Sequence, residues 1–410
     1  MTWMLLPTIP THRKRRTMHD NRNVTIKPST PLRSTFRWVT VTCVLVGVSI
    51  LRADEQQDTS VRSTLLSPQQ WQQLDSAVDG GLRFLASRQQ PDGSFSAPEL
   101  GQPGISSLCV MAFLARGHKP GEGPYGKQLA RAIDFVTRTQ QSDGLLFDHP
   151  VENSWQNGTA AHTATYNHAI AGLMLCESYG VTGAEQQQRV AVAIRNAIDF
   201  SRKQQEKTKR APEYHGGWRY LRGSSGLKND ADLSITSWHL TFLRSARNAE
   251  FDVPEKLIVD AMNYVRGSFD PQQSDFRYSR LPPGRHSNRA ITGSGILSLA
   301  LGGEHQSAIA RAAGESLLRQ PLLRYNRCEG YQERYHYSVY YCSQAMFQLG
   351  GHYWAEYFPP LMQVLVENQQ SDGSWSAESG YDRHFGNSYT TALVILALSP
   401  PYQLLPIYQR

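Results

Sequence analysis

The sequence predicts an all-α fold, an α/α toroid of six helical hairpins. Three observations lead there. Six uncharged apolar runs recur along the body of the chain, six charged amphipathic stretches alternate with them, and Gln-Gln-x-Asp-Gly turns separate members of the two sets. Self-similarity of this kind marks a repeat architecture. A helix that is apolar all round must be covered on both sides, while an amphipathic one needs only one covered face. Two concentric rings satisfy both, with uncharged helices inside and amphipathic helices outside. An open solenoid would also use the repeats, and six units favour closure.

The outer helices are expected near Gln70–Arg88, Lys127–Thr139, Gln187–Lys203, Glu255–Arg266, Ser307–Arg319 and Pro359–Asn368. In the first, Leu74, Val78, Leu82 and Leu85 fall on one face at helical spacing. The inner helices are expected at Ile105–Leu114, Tyr166–Cys176, Ser234–Leu243, Ala290–Leu301, Ser338–Leu349 and Ser388–Leu398, none containing Asp, Glu, Lys or Arg. Several stop at glycine (Gly117, Gly180, Gly302, Gly350), the usual residue just past a helix. At about 11 residues they are too short to cross a bilayer, which takes ~20. The clear turns are Gln89 to Phe95, Gln140 to Gly144 and Gln369 to Trp375. In each, Asp-Gly supplies a tight turn in which Gly takes positive φ. The third and fourth repeats keep only Gly216-Gly217-Trp218 and Asp275-Phe276, and the fifth has no recognisable turn.

The chain has 410 residues, 40% of them hydrophobic, and a net charge of +7. That charge is local. Residues 1–53 carry nine Lys and Arg against one acid, Asp20, which leaves 33 basic and 34 acidic residues for the rest. A nucleic-acid partner therefore has no support in the body of the chain. The basic stretch ends at Arg37, an uncharged run Trp38–Leu51 follows, and Ala53 precedes Asp54. This is the layout of a secretory signal peptide; an uncleaved N-terminal membrane anchor is the alternative. The expected organisation is a leader over 1–53, a linker over 54–69, one toroid over 70–402 and a C-terminal tail over 403–410. Localisation follows as export to the periplasm or cell envelope, with membrane contact only through an uncleaved leader.

Cys109, Cys176, Cys328 and Cys342 form no CxxC pair or zinc-finger spacing. Cys109 and Cys176 read as buried thiols, and a Cys328–Cys342 disulfide is open in an oxidising compartment.

The Gln…Asp-Gly-Ser-Phe/Trp turns resemble the prenyltransferase and squalene-oxidase repeat of the terpenoid cyclase and protein prenyltransferase superfamily, over roughly residues 70–400. The resemblance implies a toroid with a central, often apolar cavity, and it is nearest the uncharacterised exported bacterial members. The turn itself marks fold and not chemistry. Class II cyclases of that superfamily protonate an alkene from Asp-x-Asp-Asp. Here Asp230-Ala231-Asp232-Leu233 lacks the last carboxylate, and Asp232 is also placed to cap the helix that follows. Protein prenyltransferases hold zinc with Asp, Cys and His. His336 matches the position of their His, but Asn288-Arg289-Ala290-Ile291 supplies neither partner, so no metal or other cofactor is expected. A thioester Cys-Gly-Glu-Gln is absent, Cys328-Glu329-Gly330 being out of order, and carboxylate-pair sugar chemistry would have Asp230, Asp232 and Asp382 to draw on.

His162 and His168 are six apart and share no helical face. Aromatic residues crowd the third and fifth repeats and serve either hairpin packing or a cavity wall. The candidate catalytic residues are thus Asp230 and Asp232, and the candidate ligand-binding residues His168, Trp238, His336, Tyr337 and Tyr340. The expected function is an exported toroid binding an apolar, isoprenoid-like or aromatic-compatible small molecule. A divergent cyclase or prenyltransferase-like enzyme using Asp230 and Asp232, and a protein-interaction scaffold in the cell envelope, are the alternatives.

Overall fold

The computed structural model describes residues 65–151, 160–221, 230–330, 332–380 and 382–409. The leader lies outside the described residues, as does the linker up to residue 64.

Twelve α-helices are present among the described residues, and they alternate as the charge pattern predicts. The outer helices are α1 (Pro68–Ser87), α3 (Gly126–Arg138), α5 (Ala184–Gln205), α7 (Glu255–Gly267), α9 (Ala308–Leu318) and α11 (Gly351–Glu367). The inner helices are α2 (Gly104–Leu114), α4 (Ala160–Tyr179), α6 (Leu233–Asn248), α8 (Arg289–Leu301), α10 (Tyr335–Leu349) and α12 (Gly386–Leu398). Each inner helix packs on the next in the order α2, α4, α6, α8, α10, α12, and α12 packs back on α2. The ring is therefore closed and the fold is the α/α toroid. Leu74, Val78, Leu82 and Leu85 of α1 are fully buried, and every residue of α2 is buried. Helix α1 starts with a reciprocal cap in which the Gln70 amide N–H donates to Ser67 Oγ and the Ser67 amide N–H to Gln70 Oε1.

Helix α11 begins eight residues before the predicted Pro359, directly after Gly350 at φ 67°. Proline reads as a helix start because it removes one backbone bond. Here Tyr353, Trp354, Tyr357 and Phe358, all buried, hold the earlier turns in place.

The turns explain how the outer ring holds together. The Gln89 side-chain amide donates to its own turn at Gly93 O (3.0 Å) and to Gln128 O of the next outer helix, α3 (2.7 Å). Gln140 does the same with Gly144 O and Ala193 O of α5. Gln369 joins Gly373 O to Ala77 O of α1, across the seam where the chain closes. Gln205, in the repeat with a degenerate turn, joins Gly216 O to Leu257 O of α7. In the fourth repeat the corresponding residue, paired with the aromatic after the turn, is Phe269, with no side-chain amide to give. A two-stranded hairpin, β1 (Phe269–Asp270) with β2 (Asp275–Phe276), stands there, and Ser274 takes the glycine's place at φ 57°.

The aromatic residue after each turn is anchored by one residue on the inner helix. The Phe95 amide donates to Ser106 Oγ, Trp218 to Thr236 Oγ1, Phe276 to Thr292 Oγ1 and Trp375 to Thr391 Oγ1. In the second repeat the acceptor of the Leu146 amide is His168 Nδ1 (3.2 Å).

The turn glycine meets two demands at once. Gly373 sits at φ 88°, and a Cβ there would lie 2.4 Å from Gly80 O of α1. Gly303 has a similar φ of 81° with nothing within 4 Å. We expect Gly373→Ala to cost about 2 kcal/mol or more and Gly303→Ala about 1 kcal/mol. Thermal melts followed by helical circular dichroism check this; equal losses would show that the close approach at the seam is unimportant.

Candidate functional site

The inner helices run parallel, so the ring has two different ends. Tyr166 in the first half of α4, Ser234 at the start of α6 and Tyr337 at the start of α10 meet at one end. The Tyr166 hydroxyl donates to Ser234 Oγ (3.1 Å), Ser234 Oγ and Tyr337 OH are 2.9 Å apart, and Trp238 Nε1 donates to Tyr337 OH (2.8 Å). At the other end Glu177 of α4, Ser245 of α6 and Gln348 of α10 come together around the C-terminal residues.

Around the first end, which we call the mouth, stand two ion pairs. Arg219 bonds Asp232, and Arg334 Nε is 2.7 Å from Asp382. The Arg219 guanidinium lies 4.0 Å over the Tyr220 ring and bonds Tyr278 OH, which is 3.0 Å from Tyr220 OH. His286 stacks on Tyr278 and the His162 ring meets Tyr220 edge-on. Tyr166, Tyr220, Tyr278 and Tyr337 are only partly buried, so the mouth is an aromatic basin with paired charges on its rim.

Asp232 is fully buried and accepts the Ile235 amide N–H (2.9 Å) as the N-cap of α6. Burial raises its pKa above the usual carboxylate value, and the Arg219 charge opposes the rise. Its negative charge also disfavours ionisation of the Tyr166 and Tyr337 phenols. Asp382 is raised likewise by burial against Arg334.

Asp230 does not join the basin. It bonds the Arg210 amide N–H (2.6 Å) and Nε (2.9 Å). Burial raises its pKa, and the bonds and charge of Arg210 together more than offset that, leaving it below the ordinary value.

Trp238, Tyr337 and Tyr340 do come together. The Trp238 and Tyr340 rings stack 5.4 Å apart, and Tyr341 packs edge-on against Trp238, Tyr337 and Tyr340. Burial pushes the Tyr337 phenol up to about 12. These rings cross the ring axis below the basin.

The two candidate histidines lie elsewhere. His168 points outward, between the rings. It accepts the Leu146 amide at Nδ1 and donates from Nε2 to Ser201 Oγ on α5 (2.9 Å). Ser201 Oγ is in turn 3.2 Å from His239 Nδ1. Burial lowers the His168 pKa to about 3, so it stays neutral. His168 is the second repeat's version of Ser106, Thr236, Thr292 and Thr391. His336 is fully buried against the segment before α12, with Nδ1 3.4 Å from Glu378 Oε1 and Nε2 3.5 Å from Tyr325 OH. Each of the two histidines is thus held inside the wall. Among the described residues no group of three metal-ligating side chains converges. Cys328 is exposed, Cys342 is buried with Sγ 3.2 Å from Arg289 O, and they form no disulfide.

Residues 403–408 are not a free tail. Ile407 N donates to Glu177 Oε2 of α4 (3.3 Å), while Tyr408 bonds the Tyr340 hydroxyl and its carbonyl accepts from Gln348 Nε2 (2.8 Å), both on α10. Helices α4 and α10 are opposite members of the ring, so two adjacent residues that reach both lie on the axis. Leu405, Ile407 and Tyr408 are each buried to 95% or more. Tyr402 anchors the segment outside, bonded to Asp75 and under the Arg116 guanidinium at 4.1 Å. Sequence reasoning missed Glu177, because a lone acid after Cys176 reads as the end of the uncharged run.

Replacing His168 by Leu would leave the Leu146 amide and Ser201 without this partner. We expect a loss of about 1–3 kcal/mol in stability by chemical denaturation, with ligand affinity unchanged.

No protein-family description matches the chain, and no curated protein matches it. Solved structures do. The type II terpene cyclase MstE from Scytonema, in complex with its substrate geranylgeranyl dihydroxybenzoate, is similar with a TM-score of 0.54 at 15% identity, over 83% of this chain and all of that one. The same cyclase without ligand gives 0.51 at 14% identity, over 82% of this chain and all of that one. Cellobiose 2-epimerase from Bacillus thermoamylovorans gives 0.50 at 13% identity, over 77% of this chain and 95% of that one. At these identities the likeness is one of fold.

Proposed function

We propose that this terpene-cyclase-like toroid is an exported binding protein that takes an apolar, isoprenoid-like ligand with an unsaturated or aromatic part. The observation that carries the reading is the aromatic lining of the axis, where the partly buried Tyr166 and Tyr337 form a hydrogen-bonded set with the buried Trp238 beneath them. Their ring faces offer broad apolar contact, and their polar edges are already paired within the wall. A cyclase of the same fold that holds a geranylgeranyl compound adds support for the ligand class.

Binding without turnover is favoured by the state of Asp232. Protonating an alkene takes a protonated, very strong acid aimed at the substrate. Asp232 spends its oxygens inside the wall, on Arg219 and on the amide of Ile235, and Asp230 is tied to Arg210 outside the basin. Export rests on the basic and apolar layout of residues 1–51.

Geranylgeraniol titrated against tryptophan fluorescence should show saturable binding, weakened about tenfold by Tyr337→Ala, which removes roughly 1.4 kcal/mol of contact. An unsaturable signal defeats the reading. Incubation with squalene or geranylgeranyl dihydroxybenzoate should return the compound unchanged. A cyclic product that Asp232→Asn abolishes would instead establish the enzymatic alternative. Cell fractionation should find the protein outside the cytoplasm, and N-terminal sequencing should start near Asp54; a cytoplasmic protein starting at Met1 or Met18 overturns export.

A further inference from the structure

The lower half of the ring axis is filled by the chain's own C-terminus. Leu405, Ile407 and Tyr408 are apolar or aromatic, and each is buried. Tyr408 meets Tyr340 edge-on, and Tyr340 is the ring that Trp238 stacks on. The segment therefore continues the aromatic column of the mouth. It fills the depth beneath those rings, and Tyr408 holds Tyr340 in place across the path of a long apolar ligand from the mouth.

Its polar attachments include the Tyr408 hydroxyl on Tyr340, the Tyr408 carbonyl on Gln348 Nε2, and the Ile407 amide on Glu177, while the side chains of Leu405, Ile407 and Tyr408 join the apolar core. Leu404, the residue before the buried stretch, is exposed, and Gln403 adopts φ 49°. We propose that residues 403–408 are a displaceable plug, and that seating of the plug and deep binding of an apolar ligand in the ring exclude each other. This rests on the ligand-binding reading above.

Glu177 gives the plug a pH dependence. The groups around it are Ser245 Oγ from α6, the Ile407 amide from the plug, the Cys176 thiol on its own helix, and the phenols of Tyr340 and Tyr408. All are neutral near pH 7, and Glu177 forms no ion pair among the described residues. Burial raises its pKa from 4.5 to about 7, with the Ser245 and Ile407 bonds opposing the rise. With the plug out and Glu177 hydrated, the value returns toward the ordinary one. A carboxyl whose pKa is higher in the seated state favours seating when protonated. The plug is therefore firmest at low pH and loosens as pH rises through about 7. Between pH 5 and pH 9 the seating equilibrium should loosen by about tenfold or more.

The test titrates geranylgeraniol into the full chain, a chain ending at Tyr402, and the Ile407→Asp variant, which unseats the plug should the shortened chain fail to fold. Affinity should rise at least tenfold in the two altered chains. In the full chain it should be weaker at pH 5 than at pH 9, and Glu177→Gln should keep it weak at both. Equal affinity in all the chains overturns the plug and leaves the binding reading standing. If none binds, the binding reading falls. Amide exchange over residues 403–409 then decides the plug. Exchange that accelerates from pH 5 to pH 9 beyond its intrinsic chemistry, and does not in Glu177→Gln, upholds it; unchanged protection overturns it.

Discussion

A helix without charged side chains must hide its whole circumference, and that requirement shapes this protein. One face of each inner helix is covered by the outer ring and its flanks by neighbours. The last face looks at the axis, where six helices leave a channel that something must fill or a ligand must line. Here it is filled unevenly. Gly293 lets α8 approach α10 so closely that a Cβ would lie 2.9 Å from the Cys342 amide nitrogen. The tyrosines of α10, with Trp238 from α6, then span the middle, and residues 405–408 complete the lower end. At the upper end Tyr166, Tyr220, Tyr278 and Tyr337 are only partly buried among the described residues, with the charges beside them paired.

The outer ring is held by a different means. Glutamine suits the end of each outer helix because one amide group carries two donors, enough for its own turn and for the neighbouring helix. Four such clamps link α1 to α3, α3 to α5, α5 to α7, and α11 back to α1. The last joins residues 292 apart in sequence, so it is also the clamp that closes the circle. Between α7 and α9 the Arg266–Glu304 pair takes over, half-exposed and correspondingly weaker.

The rings were legible because burial on two faces and on one face leave different charge patterns, and short-range periodicity records both. The turns were legible where glutamine and glycine were adjacent in sequence. Gln205 was not, since ten residues separate it from Gly216. The site was legible only in part. Trp238, Tyr337 and Tyr340 stood out as aromatics on uncharged helices, and they do share the axis. His168 stood out for the same reason, yet it faces the outer ring. Nothing local distinguishes the two faces of a helix that is buried all round. What identifies His168 is its equivalence to Ser106, Thr236, Thr292 and Thr391, which emerges only when the repeats are superimposed on their turns. Glu177 was hidden for the opposite reason, because its partners Ser245 and Ile407 are 68 and 230 residues away.

The two buried carboxyls on this wall show how environment divides one chemistry into two roles. Asp232 is buried beside a cation, so its charge is matched and its burial stabilises a fixed structure: the cap of α6, the tilt of Arg219, and the phenols that share its field. Glu177 is buried beside neutral donors only, so its charge is unmatched and burial acts on its proton instead. A group near pKa 7 is far too weak an acid to protonate an alkene. It is well matched to respond to the pH of its surroundings, and the bond it makes is to the segment filling the lumen. Catalysis by proton delivery would require the reverse arrangement, with the unmatched acid at the open mouth and the matched one at the plugged end. The placement of Arg219 beside Asp232 at the mouth thus bears on both proposals: it ties Asp232 into the wall as the partner of a cation, and the titratable carboxyl lies at the end of the ring that the chain itself closes.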